Sequence, residues 1–170
     1  MIDDILEVRE SVISGKGVFA KKLIKKGETI CFMKGKVHSL REMIVLVDAG
    51  LDEGSDPLGI DDETYMDLDE LYRSINHSCD PNAFMRGRNE LVALKDIQVD
   101  EEITYDYSTT MNDNKEVIEA DGDELWTETC NCKSKNCRGI IDQFKTLPKK
   151  VQDFYIKNKF APDFVLRKFS

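Results

Sequence analysis

Apolar and polar positions alternate loosely from Ile5 to Ile13, with Leu6, Val8 and Val12 set against Glu7, Arg9 and Ser11, the two-residue period of a strand. Ser14-Gly15-Lys16-Gly17-Val18-Phe19-Ala20 then places a lysine between two glycines in a turn that leads into a second short strand. Lys21 to Phe32 reads as a turn with solvated lysines feeding a third strand. Between Ser39 and Ala49 the pattern becomes helical: Ser39 is an N-cap, Glu42 completes a capping box and Gly50 is a stop. Residues 50–63, rich in Gly, Asp and Pro, predict a loop. Strands follow at Tyr65–Leu68 and Glu90–Leu94, then a turn at Asp96–Asp100. A further strand over Glu101–Tyr107 places Tyr105 and Tyr107 on one face and Asp106 on the other. Residues 108–125 are acidic with few large apolar side chains and predict a mobile or weakly helical linker. From Asp142 the apolar positions Phe144, Leu147, Val151, Phe154 and Tyr155 take mostly helical spacing, with Pro148 as the first residue of the last helix. Many short strands, polar turns, one internal helix and no internal repeat predict a mainly β fold of several small sheets.

Composition narrows the function classes. The 170 residues suffice for one domain with a real core. No run of ~18 apolar residues exists and the N-terminus lacks a signal-peptide pattern, so a soluble intracellular protein, nuclear or cytoplasmic, is expected, with no membrane contact. The net charge of −9 disfavours direct binding to a nucleic-acid backbone and favours a basic partner such as a lysine-rich peptide; it serves solubility equally well.

Five cysteines, an odd number, argue against a disulfide framework. Cys130, Cys132 and Cys137 form Cys-x-Cys-x4-Cys, three thiolates on one tight loop suited to structural zinc. The fourth ligand is Cys79, Cys31, His77, His38 or an open water position. Cys79 lies in the densest stretch of chemistry, Arg73-Ser74-Ile75-Asn76-His77-Ser78-Cys79-Asp80-Pro81-Asn82. A single His in a turn is more often a hydrogen-bonded structural residue than a catalyst. His77 with Cys79 would make a thiol protease only if Cys79 were free, which the zinc reading denies. The two phenols of Tyr105 and Tyr107 line a narrow slot or simply fill the core.

The ordered set of Gly-Lys-Gly-Val-Phe-Ala (15–20), Arg-x-Ile-Asn-His-Ser-Cys-Asp-Pro-Asn (73–82), Glu-Ile-Thr-Tyr-Asp-Tyr (102–107) and Cys-x-Cys-x4-Cys-Arg-Gly (130–139) resembles the SET-domain protein lysine methyltransferases with a post-SET zinc knuckle. The resemblance covers roughly residues 6–141, and the helical tail is similar to extensions on small stand-alone SET proteins. It implies a SET domain at 1–110 with an inserted helix and loop at 39–63, an acidic linker at 111–129, a post-SET knuckle at 130–141 and a helical extension at 142–170. It also implies a pseudoknot at the Asn-His segment, a rare exception to unthreaded topology. The cofactor implied is S-adenosylmethionine, held around Lys16 and Gly17 and by Arg73, Asn76, His77, Tyr107 and Ile141. Tyr107 takes the catalytic position. Tyr105 takes the position that limits methyl number, implying mainly mono- or di-methylation. Tyr65 is a candidate further channel residue. Cys79 joins Cys130, Cys132 and Cys137 on structural zinc. The implied substrate is a lysine in a basic protein or peptide, a histone tail being one such partner. The alternative is a non-catalytic, zinc-stabilised peptide-binding SET module.

Overall fold

The computed structural model describes residues 1–51, 57–120 and 122–170. In chain order the first half holds β1 (Leu6–Glu10), β2 (Lys16–Ala20), β3 (Thr29–Phe32), β4 (Gly35–Ser39), α1 (Leu40–Asp48), β5 (Pro57–Asp61), β6 (Thr64–Leu68), α2 (Glu70–Arg73) and β7 (Asn76–His77). The second half holds β8 (Ala83–Arg86), β9 (Glu90–Ala93), β10 (Glu102–Tyr105), α3 (Lys115–Ala120), β11 (Glu128–Thr129), β12 (Ile140–Ile141), α4 (Lys149–Asn158) and α5 (Asp163–Phe169). Short 3-10 turns occupy Tyr107–Thr110 and Phe144–Thr146.

The strands form small sheets ordered β1-β2-β10-β7, β3-β9-β8, β4-β6-β5 and β11-β12. The predicted hairpin pairs Leu6 with Ala20 and Glu10 with Lys16. A side chain on Gly17 would overlap the Glu102 carboxylate and Ser11 Cβ, so glycine is what lets this hairpin receive β10. β7 joins β10 in parallel, setting Asn76 opposite Thr104 and His77 opposite Tyr105. That pairing brings two segments distant in sequence side by side. Val18, Met33, Met85, Leu91, Ile97 and Ile103 are fully buried in the main core. A second cluster, Phe144, Leu147, Tyr155, Ala161, Phe164 and Val165, belongs to the C-terminal tail.

The helix expected from Ser39 forms as read. The Ser39 hydroxyl accepts from the Glu42 amide at 3.3 Å, and the Glu42 carboxylate accepts from the Ser39 amide at 2.7 Å. Other readings are corrected. Residues 52–56 of the expected loop lie outside the described residues, while 57–61 form β5, paired to β6 across Leu58–Met66. β4, β8 and α2 were not apparent in the pattern. The strand predicted to run through Tyr107 stops at Tyr105, because the Asp106 side chain accepts from the Ser108 amide and starts a 3-10 turn. Ser108, Thr109 and Thr110 are buried in that turn, not part of a linker, and α3 follows. The tail is two helices, broken where Lys159 turns left-handed (φ 58°). Pro148 is the N-cap of α4, one position before the expected one.

Candidate active site

β7, the 107–110 turn and the 128–141 segment meet around a cleft of ≈640 Å³. That size lies within the usual range for small-molecule sites. Its walls include Lys16 in the glycine turn, Arg73, Asn76, His77, Tyr107 and Ile141. Six of the seven residues expected to hold a cofactor are therefore brought together. The exception is Gly17, which is buried behind the cleft against Glu102.

The side chains of the Asn-His pair are consumed internally. Asn76 Nδ2 donates to the Lys16 carbonyl at 2.9 Å and to Glu102 Oε1 at 2.7 Å, tying the glycine turn to β10. Ser11 donates to the same carboxylate at 2.8 Å. His77 Nδ1 accepts the Tyr107 amide at 3.1 Å, so the ring proton sits on Nε2, 3.3 Å from Cys79 Sγ. Burial holds the imidazole down to about 4, with the Arg138 charge adding to that and Asp106 opposing it. His77 is thus neutral near pH 7 and its 3.6 Å approach to Asp106 is not an ion pair. Arg73 Nε donates to the Leu68 carbonyl at 2.8 Å, which fixes its base at the cleft wall.

A smaller, mainly apolar cavity of ≈230 Å³ lies beside this cleft. Its lining includes Tyr105 and Tyr107, with ring centroids 4.9 Å apart. Tyr65 and Gly59, Leu40, Met43, Ile44 and Val47 of α1, and Ile118 and Trp126 line it as well. A Cβ at Gly59 would overlap the Thr110 carbonyl, so this position admits only the closest backbone approach. Tyr107 lines both the cleft and the cavity. Its phenol donates to the Ile75 carbonyl at 2.7 Å and its ring meets His77 edge-on at 5.4 Å. Tyr105 is buried, and that burial, with Tyr107 beside it, keeps its phenol protonated.

The sulfurs of Cys79, Cys130, Cys132 and Cys137 all lie within 4.8 Å of one another, Cys79 and Cys130 at 3.6 Å. Zn–S bonds of ~2.3 Å in a tetrahedron require edges of ~3.8 Å, so the four thiols fit such an ion. Backbone amides reinforce the set: Arg138 N points to Cys79 Sγ and Gly139 N to Cys137 Sγ, each at 3.4 Å. Two of the other candidates for a fourth ligand, Cys31 and His38, are not part of this cluster. Cys31 is buried in β3, where burial raises its thiol to about 12, and His38 sits in β4.

Three partners of this site were not read from the sequence. Asp106, fully buried, accepts from Arg138 at 2.7 Å and from the Tyr155 phenol at 2.8 Å. The strand end, the knuckle and α4 are thereby joined through one carboxylate. The Arg-Gly after the knuckle was visible as a motif, but nothing in the chain pattern pairs Arg138 or Tyr155 with Asp106.

The SET-domain family profile matches residues 15–108, more than half of the chain. The chain belongs to the SET-domain family. It is 34% identical over 149 residues to the variant-silencing SET domain-containing protein of Plasmodium falciparum (isolate 3D7), covering 78% of this chain and 5% of that protein. It is 32% identical over 151 residues to histone-lysine N-methyltransferase 2B of Homo sapiens, covering 79% and 5%. The chain therefore spans about a twentieth of the length of these two relatives. Among solved structures, KRYPTONITE in complex with mCHH DNA, an H3(1-15) peptide and SAH superposes with a TM-score of 0.59 at 28% identity, over 80% of this chain and 29% of that one. The methyltransferase domain of human SETMAR shares the fold at a TM-score of 0.61 and 23% identity, over 81% and 58%. The SET fold of small sheets, with four clustered cysteines able to hold a metal, matches the sequence-based expectation. No described helix is long and apolar enough to cross a membrane.

Proposed function

We propose that this SET protein transfers a methyl group from S-adenosylmethionine to a lysine side chain of a basic protein segment, a histone tail being the leading class. The observation that carries this reading is the sharing of Tyr107 between two clefts of different character. The larger, polar cleft suits the donor. The apolar cavity suits the aliphatic stem of lysine, with the reacting centres meeting at Tyr107. The histone-lysine methyltransferase relatives and the SAH-bound KRYPTONITE structure support the same assignment, and the net charge of −9 favours a cationic partner.

In this reading the turn at Lys16, Arg73, Ile141 and the backbone at Asn76-His77 bind the donor, and the neutral His77 shapes the cradle without acting as base. Bound there, S-adenosylmethionine supplies an electrophilic methyl on a cationic sulfur. Tyr107 orients the methyl-bearing end and the incoming nitrogen. The Ile75 carbonyl, already held by the Tyr107 phenol, belongs to the same rim. Alignment of this kind is worth up to ~7–11 kcal/mol of barrier in favourable cases. Free lysine titrates at ~10.4, and the apolar walls lower that value by disfavouring the ammonium. The buried Tyr105 phenol narrows the end of the channel, which favours mono- or di-methylation. The four cysteines hold structural zinc, tying the 130–139 loop to β7.

The test is radiolabelled methyl transfer onto histones and whole lysates, with mapping of the modified residue, beside calorimetric titration with S-adenosylmethionine. Label on lysine supports the proposal. Peptide binding without donor binding would establish the non-catalytic module instead.

A further inference from the structure

The segment between β10 and the knuckle carries a carboxylate that the mechanism above leaves unused. Asp113 lines the same cavity as Tyr65, Tyr105 and Tyr107. It is held from two sides. The Tyr65 phenol donates to its Oδ1. Gln143, fully buried, donates from Nε2 to Oδ2 at 3.3 Å and accepts the Asp113 amide at 2.7 Å. The Phe144 amide donates to the Met111 carbonyl at 2.9 Å, which pins the backbone on either side. Of the cavity's other acids, Asp48 and Glu124 are exposed; Asp113 and Asp123 are both partly buried, but Asp113 is the one held by Tyr65 and Gln143. Burial raises the Asp113 carboxyl above its ordinary value, against the Gln143 hydrogen bond and the Lys145 charge. The titratable groups on the elements around it are Tyr65 of β6 with His38 paired to it on β4, Lys145 in the 144–146 turn, Asp48 of α1, and Asp123 and Glu124 after α3.

Resting on the methyl-transfer reading, we infer that Asp113, acting through the Tyr65 phenol bonded to it, is the proton acceptor for the target lysine. The ammonium gives one N–H proton to the Tyr65 oxygen as the Tyr65 proton passes to Asp113. The freed lone pair forms the N–C bond while the donor's S–C bond breaks, and that bond's electron pair stays on sulfur. The proton on Asp113 returns to water when product leaves. In bulk water the transfer is uphill, since lysine titrates at ~10.4 and aspartate at ~3.9. Three effects in the cavity oppose that gap. Burial disfavours the ammonium, burial disfavours the carboxylate, and the transfer replaces a desolvated ion pair by two neutral groups. A cationic donor next to the amine acts in the same direction.

The deciding measurement is kcat against pH for wild type, Asp113→Asn and Tyr65→Phe on one lysine peptide, with donor affinity measured for each. Asparagine keeps the shape and an oxygen for Gln143. Loss of a general base costs about 100-fold at neutral pH. The expected result is a deficit of that order near pH 7.5 that shrinks as the pH approaches about 10, where solvent itself deprotonates lysine. Donor affinity should stay unchanged. A deficit equal at every pH, or none, overturns the inference. If Asp113→Asn loses donor binding, Tyr65→Phe is judged by the same convergence. A wild type that binds no donor overturns the proposed function, and this inference with it.

Discussion

Tyr105 and Tyr107 lie two residues apart, yet their surroundings differ. Tyr105 lines the apolar cavity alone, whereas Tyr107 lines both cavity and cleft. Tyr107→Phe removes the phenol that holds the Ile75 carbonyl at 2.7 Å but keeps the ring against His77. Under the proposed function, turnover should fall about 100-fold or more, the size of a lost positioned polar group, with donor affinity nearly unchanged. Unchanged single-turnover rates would remove Tyr107 from the reaction. Tyr105→Phe opens space for one oxygen. The product distribution by mass spectrometry should shift toward higher methylation, and abundant tri-methyl-lysine from wild type would refute the limiting role. Both tyrosines were visible in the sequence as a Tyr-Asp-Tyr motif. Asp113 was not, because a carboxylate among many acidic residues has no distinguishing local pattern; only the approach of Tyr65 and Gln143 singles it out.

At the scale of elements, capping rules located α1 to the residue, since Ser39 and Glu42 satisfy each other's backbone locally. β4, β5 and β8 escaped notice because their pairing partners, not their alternation, make them strands. The tail shows the same dependence. Tyr155 of α4 reads as one position of an amphipathic helix, but its phenol donates to the buried Asp106, beside Arg138 and the Ser108 amide. Tyr155→Phe leaves one oxygen of that carboxylate without its partner in a buried site. The expected cost is about 1–3 kcal/mol in denaturant titration. A loss below ~0.5 kcal/mol, the range of ordinary surface changes, would show that Asp106 is satisfied without α4.

At the scale of the whole molecule, segments far apart in sequence close around one cysteine cluster. Cys79 at the end of β7 meets three cysteines more than fifty positions later, and that contact brings Ile141 and the 128–131 stretch over the cleft. Under the proposed zinc and donor assignments, chelation should lower the melting temperature and weaken donor binding together, and added zinc should restore both; a chelated protein with unaltered donor affinity would separate the knuckle from the cleft. The chain order of motifs alone was enough for the family, the mainly β class and the clustering of four cysteines, because thiol spacing and glycine turns are written in short, local patterns. The sequence by itself did not show that Tyr107 lines both clefts, that Asp106 ties knuckle to tail, or that Asp113 lines the apolar cavity. Those facts arise from long-range pairing and burial. They set which side chains lose water and which partners they meet, and hence which groups have chemistry to do.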